Sequence, residues 1–217
     1  MQEIRNWLEI IYFLTGPAIV VIAYLALNQI KVAKEQIVEQ KKSLRISSKR
    51  DSLKLTADQV ALYCEKIIPL QNTLNNKLNS EGITILEKFK IEFEDNSIKV
   101  IPPEEEFKFG DFECIAKELV DLANAMESFS TYFSSGIADE KVAYLSLGST
   151  FCGTMKKISP ILIPISKDGR SFSAVLRLYF IWGTRLDGEN LEKQKLEIEQ
   201  KLKSKKQFSV PVVGTEA

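Results

Sequence analysis

Eighteen consecutive residues, Ile10 to Leu27 (IIYFLTGPAIVVIAYLAL), carry no charge. As a helix rising about 1.5 Å per residue they would span about 27 Å, close to the thickness of a bilayer hydrocarbon core. Gly16 and Pro17 would trouble a helix in water but are tolerated in a membrane-spanning one. Trp7 and Tyr12 on one side and Tyr24 on the other suit anchoring at the two interfaces. A cleaved signal peptide would open with a basic region and end at a small-residue cleavage site. Here the leader MQEIRNWLE sets Glu3 and Glu9 against Arg5, and no A-x-A-like site follows Leu27. A core helix is rarely apolar all round for this length. The stretch therefore reads as a transmembrane helix over residues 10–27, behind a short extracytoplasmic leader, 1–9.

The flanks set the expected orientation. After the span come Lys31, Lys34, Lys41, Lys42, Arg45, Lys49, Arg50 and Lys54, opposed by Glu35, Glu39 and Asp51. That is 8 − 3 = +5, against 1 − 2 = −1 for the leader side chains. The positive-inside rule then puts the N-terminus outside and everything after Leu27 in the cytoplasm. Cys64, Cys114 and Cys152 are widely spaced and odd in number, and read as small buried hydrophobes in a reducing compartment. Other apolar runs, PILIPI (160–165) and AVLRLYFIWG (174–183), are too short to span or are interrupted by Arg177.

There is no histidine. Its absence removes Ser-His and Cys-His couples, His-ligated metals and the usual pH switch. With 45% apolar and 27% charged residues the chain is of ordinary globular composition, which argues against a disordered or disulfide-framed protein.

Residues 28–52 form an expected basic helical stalk. Ile30, Ala33, Ile37 and Leu44 fall near heptad spacing, but Gln40, Ser47 and Asp51 take the next seam positions, so a homo-oligomer through this stretch is at most weak. The basic residues suit topology and anionic lipid. Nucleic acid is disfavoured, since no aromatic lies between Tyr24 and Tyr63 to stack on bases.

Residues 53–206 are expected to form a four- to five-helix cytoplasmic domain with a small β-hairpin. Leu53, Val60, Cys64, Ile67, Leu70, Leu74 and Leu78 mark the first helix face, with Pro69 kinking or restarting it. Phe89, Ile91 and Phe93, then Ile98 and Val100, alternate with charged residues around Asp95-Asn96-Ser97, predicting a hairpin. Pro102-Pro103 and Glu104-Glu105-Glu106 close it. Phe112, Ile115, Leu119, Leu122, Met126, Phe129 and Phe133 recur at alternating spacings of three and four, a helix with Asp111 as N-cap and Gly136 past its end. A further helix starts near Asp139 with Val142, Leu145, Phe151, Met155 and Ile158, until Pro160 and Pro164 break it. Asp139 and Glu140 read as residues favouring its dipole. After the Asp168-Gly169 turn, Phe172, Val175, Leu176, Tyr179 and Trp182 predict another helix. The last, about 189–206, pairs Glu189/Lys193, Glu197/Lys201 and Glu199/Lys203 at i,i+4. A patternless tail, 207–217, follows.

No phosphate loop, dinucleotide fingerprint, nucleophile elbow or calcium loop occurs. One constellation has chemistry: Asp95 with Glu106 and Lys108, the Asp…Glu-x-Lys arrangement by which some nucleases hold Mg²⁺. Glu-x-Lys arises easily in a chain this rich in both residues, and Glu104 and Glu105 suggest a solvated acidic loop. No catalytic, cofactor-binding or metal-binding residues are therefore assigned.

The passage Ala26–Leu74, with IKVAKEQIVEQKKSLRISSKRDSLKLTADQVALYCEKIIPLQNTL directly behind one span, resembles an uncharacterised family of bacterial single-pass inner-membrane proteins with a helical cytoplasmic domain. The segment LVDLANAMESFSTYFSSGIADE is similar to their second core helix. The resemblance implies a bacterial inner-membrane location and no activity. The expected function is a non-enzymatic, membrane-tethered interaction or regulatory module, a defence-type effector among its forms, that recruits another protein to the inner membrane through its cytoplasmic domain. The alternatives are a divalent-metal phosphodiesterase or nuclease using Asp95, Glu106 and Lys108, and a membrane-disrupting oligomer packed through Trp7, Gly16 and Pro17.

Overall fold

The computed structural model describes residues 2–94, 97–104, 109–166 and 171–205. The protein is mainly helical, in the order α1 (Gln2–Leu62), a π-helical turn (Tyr63–Ile67), α2 (Ile68–Ser80), a 3₁₀ turn (Ile85–Glu87), β1 (Lys90–Glu94), β2 (Ser97–Ile101), α3 (Phe109–Ser134), α4 (Glu140–Ile165) and α5 (Ser173–Ser204). Two compact units result, Met1–Asp51 and Ser52–Ala217.

The first unit is helix alone, and every described side chain in it is exposed. It contains the expected apolar stretch, among the described residues the one helix long and apolar enough to cross a membrane. No break separates that stretch from the basic residues 31–50, because α1 runs through both with only Pro17 as an internal proline.

The second unit holds the core. α3 packs against α2, α4 and α5, α4 packs on α5, and β1 rests on α5. The α3 stripe faces inward as its spacing predicts: Ile115, Leu119, Leu122, Met126, Phe129 and Phe133 are buried, with Phe112 packed against them. Gly136, in the left-handed region at φ 75°, ends α3 and lets Ala138 N–H reach back to the Tyr132 carbonyl at 3.0 Å. The hairpin forms as an antiparallel pair with Ile91 opposite Val100 and Phe93 opposite Ile98. The Asp95-Asn96 part of its predicted turn lies outside the described residues, as do Asp168-Gly169 and residues 206–217.

Six expectations need correction. The inward face of residues 53–78 is Thr56, Gln59, Tyr63, Ile67, Gln71, Leu74 and Leu78, whereas Leu53 and Cys64 are exposed. Residues four apart from Gln59 to Gln71 hold one face because the wider i→i+5 turn at Tyr63–Ile67 lengthens the local repeat. That turn also lies directly before Pro69, which neither donates a backbone bond nor fits under the preceding carbonyls of a regular helix. Secondly, of the three cysteines only Cys152 is buried, and Cys114 is exposed like Cys64. Thirdly, Val142 and Leu145 face outward, and the α4 core face is Ala143, Tyr144, Leu147, Phe151, Cys152, Met155, Ile158 and Leu162. Six residues separate Leu145 from Phe151, well over one turn and short of two, so the two cannot share a face.

The fourth correction is that Pro160 and Pro164 do not break α4, which continues to Ile165. Burial of Ile158, Pro160 and Leu162 against the core holds this last stretch together despite the lost backbone bonds. The fifth is that the two helices expected around 172–206 are one, α5. Gly183, at their supposed junction, serves packing: a methyl group there would overlap the Phe93 ring, which also meets Tyr179 at 5.3 Å. Asp111 falls inside α3, which begins at Phe109, so it is not the N-cap.

Phe129 is 1% exposed and touches the rings of Tyr63, Phe133, Phe151 and Trp182. Phe129→Ala is expected to lower unfolding free energy by about 3–5 kcal/mol in a denaturant titration. Leu145→Ala, at a position 84% exposed, is expected to change it by no more than about 0.5 kcal/mol.

Candidate functional site

The two features with functional content are the exposed apolar length of α1 and a polar cluster where α4 meets α5. In α1, Trp7, Tyr12 and Tyr24 are 68%, 79% and 65% exposed, and no described residue of the first unit covers them. Thr15 spends its hydroxyl on the Tyr12 carbonyl at 2.8 Å, which hides a polar atom along the helix itself. Arg5 and Glu9 pair loosely at 3.8 Å before the apolar run begins.

The cluster starts at the N-terminus of α4. Asp139 is its N-cap: Oδ1 accepts from the N–H groups of Lys141 at 3.1 Å and Val142 at 3.2 Å, as a capping carboxylate should. Its own N–H donates to Thr56 Oγ1 at 2.8 Å, and that hydroxyl donates to the Ser52 carbonyl. Glu140 does more than favour the dipole. Arg185 grips it with two hydrogen bonds of 3.0 and 3.1 Å, and Trp182 Nε1 donates to Oε2 at 3.1 Å. Bidentate, charge-assisted geometry of this kind is the strong form of the interaction. The Arg185 guanidinium also stands over the Tyr144 ring, 4.6 Å from its centroid, and Tyr144 donates to Glu189 Oε1 at 3.0 Å. Burial, then the Glu189 carboxylate, pushes the Tyr144 hydroxyl up to about 12. Each of these charges engages another member of the cluster, so its chemistry is that of a clamp between α4 and α5.

A second carboxylate acts at a distance in sequence. Phe172, which precedes α5, is in the left-handed region at φ 58° and offers no side-chain cap. Glu127 of α3 supplies it instead, accepting from Ala174 N–H at 3.1 Å and Val175 N–H at 2.8 Å. A carboxylate at these free N–H groups satisfies them and faces the positive end of the helix dipole.

Among the cavities between described elements of the second unit are three with polar residues in their walls. One of about 220 Å³ lies between α2 and α4, lined by Gln71, Asn75, Thr150, Thr154 and Lys157 among others. A second, about 330 Å³, shares Asn75 and Lys157 and extends along the 3₁₀ turn. Lys157 Nζ is held there by Glu87 at 3.0 Å and Asn75 at 3.3 Å. Behind the first cavity, Gln71 donates to the Tyr63 hydroxyl, which burial pushes up to about 12. The third, about 300 Å³, lies beside the hairpin against Phe93, Cys152 and Asp187.

Asp95, Glu106 and Lys108 all lie outside the described residues. Among the described residues no three Cys, Asp or Glu side chains gather as a metal site. The Glu140–Arg185 clamp and the Glu127 cap had no local signal, since each joins residues more than forty positions apart. No family model, curated protein or solved structure matches the chain.

Two measurements follow from this geometry. Glu127→Ala is expected to cost about 1–2 kcal/mol of unfolding free energy, as loss of a helix cap does. Burial, then Asp187, raises the Cys152 thiol to about 12, so almost none of it is thiolate at pH 8. Iodoacetamide on the native protein at pH 8 should therefore modify Cys64 and Cys114, and Cys152 only after denaturation.

Proposed function

We propose that this chain is a non-enzymatic interaction module tethered to a bacterial inner membrane by residues 10–27. The observation that carries the reading is one unbroken helix whose eighteen-residue uncharged length is exposed on every side and is followed by eight basic residues. An uncovered apolar surface of that length has one natural solvent, and hydrocarbon also suits the absence of any charge to bury. The flank difference of +5 against −1 favours an N-terminus outside and the packed unit in the cytoplasm. The chain's second unit contributes a rigid helical body that displays a surface to another protein. Its Glu140–Arg185 cluster and Glu127 cap hold its helices together.

The basic residues divide by distance. Along a helix Lys31 and Lys34 stand about 6 and 10 Å past Leu27, within reach of an anionic leaflet, whereas Lys49 stands about 33 Å past it. Screening falls off over about 8 Å at physiological salt, so Lys31 and Lys34 govern topology and the outer residues contribute little to lipid attraction. Alkaline extraction of the full chain should leave it in the membrane pellet, and a reporter fused after Ala217 should read as cytoplasmic. Release of the chain by alkali, or a reporter on the far side, would contradict the reading.

A further inference from the structure

The first unit carries a seam that the membrane boundary does not interrupt. Gly16, Ile19, Ala23, Ala26, Ile30, Ala33, Ile37, Gln40, Leu44 and Ser47 recur at spacings that alternate three and four without a slip, all within α1, and the next position, Asp51, ends the seam. No seam position from Gly16 to Ser47 is charged, although nine of the twenty-three residues 28–50 are Lys, Arg, Asp or Glu. Past the apolar stretch, where the helix enters water, Ile30, Ile37 and Leu44 on this seam remain 54%, 50% and 68% exposed. A strict seven-residue repeat is the pattern of helices that wind left-handedly around one another.

We propose that the seam binds a second copy of this chain, in parallel and in register. The inference rests on the reading that residues 10–27 cross a membrane. Two copies inserted in one bilayer point the same way and hold residue 16 at the same depth, so each seam position meets its own counterpart. The small residues Gly16, Ala23 and Ala26 allow close approach inside the bilayer, where packing drives association. Ile30, Ile37 and Leu44 supply apolar burial outside it. The flanking charges are compatible with this partner. In a parallel pair the positions bordering the seam set Gln29 against Lys34, Gln36 against Lys41 and Ser43 against Ser48 of the other copy, with no cation facing a cation. Lys31, Lys42, Arg45 and Lys49 fall away from the seam.

The magnitude predicts how the pair behaves. A strip from residue 16 to 47 is about 47 Å long and about 10 Å wide, roughly 500 Å² per copy, below the roughly 800 Å² per partner of a stable soluble complex. Confinement to a bilayer, which fixes orientation and depth beforehand, offsets that deficit. The pair is therefore a membrane pair.

The test is cysteine crosslinking of the full chain in intact membranes. Cys64 and Cys114 are replaced by Ser, buried Cys152 is left in place, and single cysteines are introduced as Ile37→Cys, Leu44→Cys, Glu35→Cys or Lys42→Cys. Mild oxidation should give a disulfide-linked species of twice the chain mass for Ile37→Cys and Leu44→Cys. Glu35→Cys and Lys42→Cys, on the far side of the helix and beyond disulfide reach, should give on the order of tenfold less. Equal yields at all four positions, no dimer at the seam, or a seam adduct of another mass would overturn the proposal. Fractionation of the same samples separates the two ideas: a chain in the soluble fraction removes the membrane reading and the pair with it. A membrane-bound chain without seam-specific dimer removes the pair alone.

Discussion

The packed unit depends on how Trp182 is held. Its ring, fully buried, meets Phe129 and Phe133 of α3 and Tyr144 and Phe151 of α4, with centroids between 5.0 and 6.4 Å. One side chain of α5 thus joins three helices, and its indole N–H must find an acceptor at the edge of that apolar surround. Glu140 provides it and is in turn gripped by Arg185, one turn along from Trp182. The carboxylate therefore satisfies a buried donor and neutralises a half-buried cation together, which a neutral acceptor would not do. Arg185 then covers Tyr144, whose hydroxyl reaches Glu189 further along α5. From the aromatic centre outward, each polar contact closes the one before it.

The hairpin and the start of α5 follow from the same arrangement. Phe93 reaches the α5 backbone because Gly183 next to Trp182 has no side chain, so a strand pair that would be marginal alone gains a buried anchor. At the other end, the left-handed Phe172 costs conformational energy, and the two bonds from Glu127 stabilise the helix end it opens.

Where the sequence was legible, one physical signal acted alone. The α3 stripe is read without error because every third or fourth residue is large and apolar and no competing face exists. The hairpin is read from alternation, and the exposed length of α1 from the want of any charge. Errors arose where polar residues take buried positions. Thr56, Gln59 and Gln71 point inward on the helices that end at Ser80, and a hydrophobic pattern passes over them to Val60 and Cys64. Val142 and Leu145 are apolar on the outer face of α4, while Tyr144 beside them is the inward residue through its ring and its hydroxyl. Pro160, Pro164 and Gly183 are poor local choices for helices, and tertiary packing overrides all three. The Glu140 and Glu127 contacts were invisible because a carboxylate that will cap or clamp a distant helix looks like any other surface acid.

The two units solve opposite problems. The described residues of the second unit bury a continuous aromatic and aliphatic core. Residues 10–27 bury nothing, and our account assigns their covering to lipid. Spin labels placed singly from residue 12 to 26 and from 41 to 49, in vesicle-reconstituted full-length protein, test that assignment directly. Collision with oxygen should dominate in the first set and collision with a water-soluble nickel chelate in the second, with the change between Leu27 and Lys34. Equal access to the nickel chelate along both sets would contradict the account.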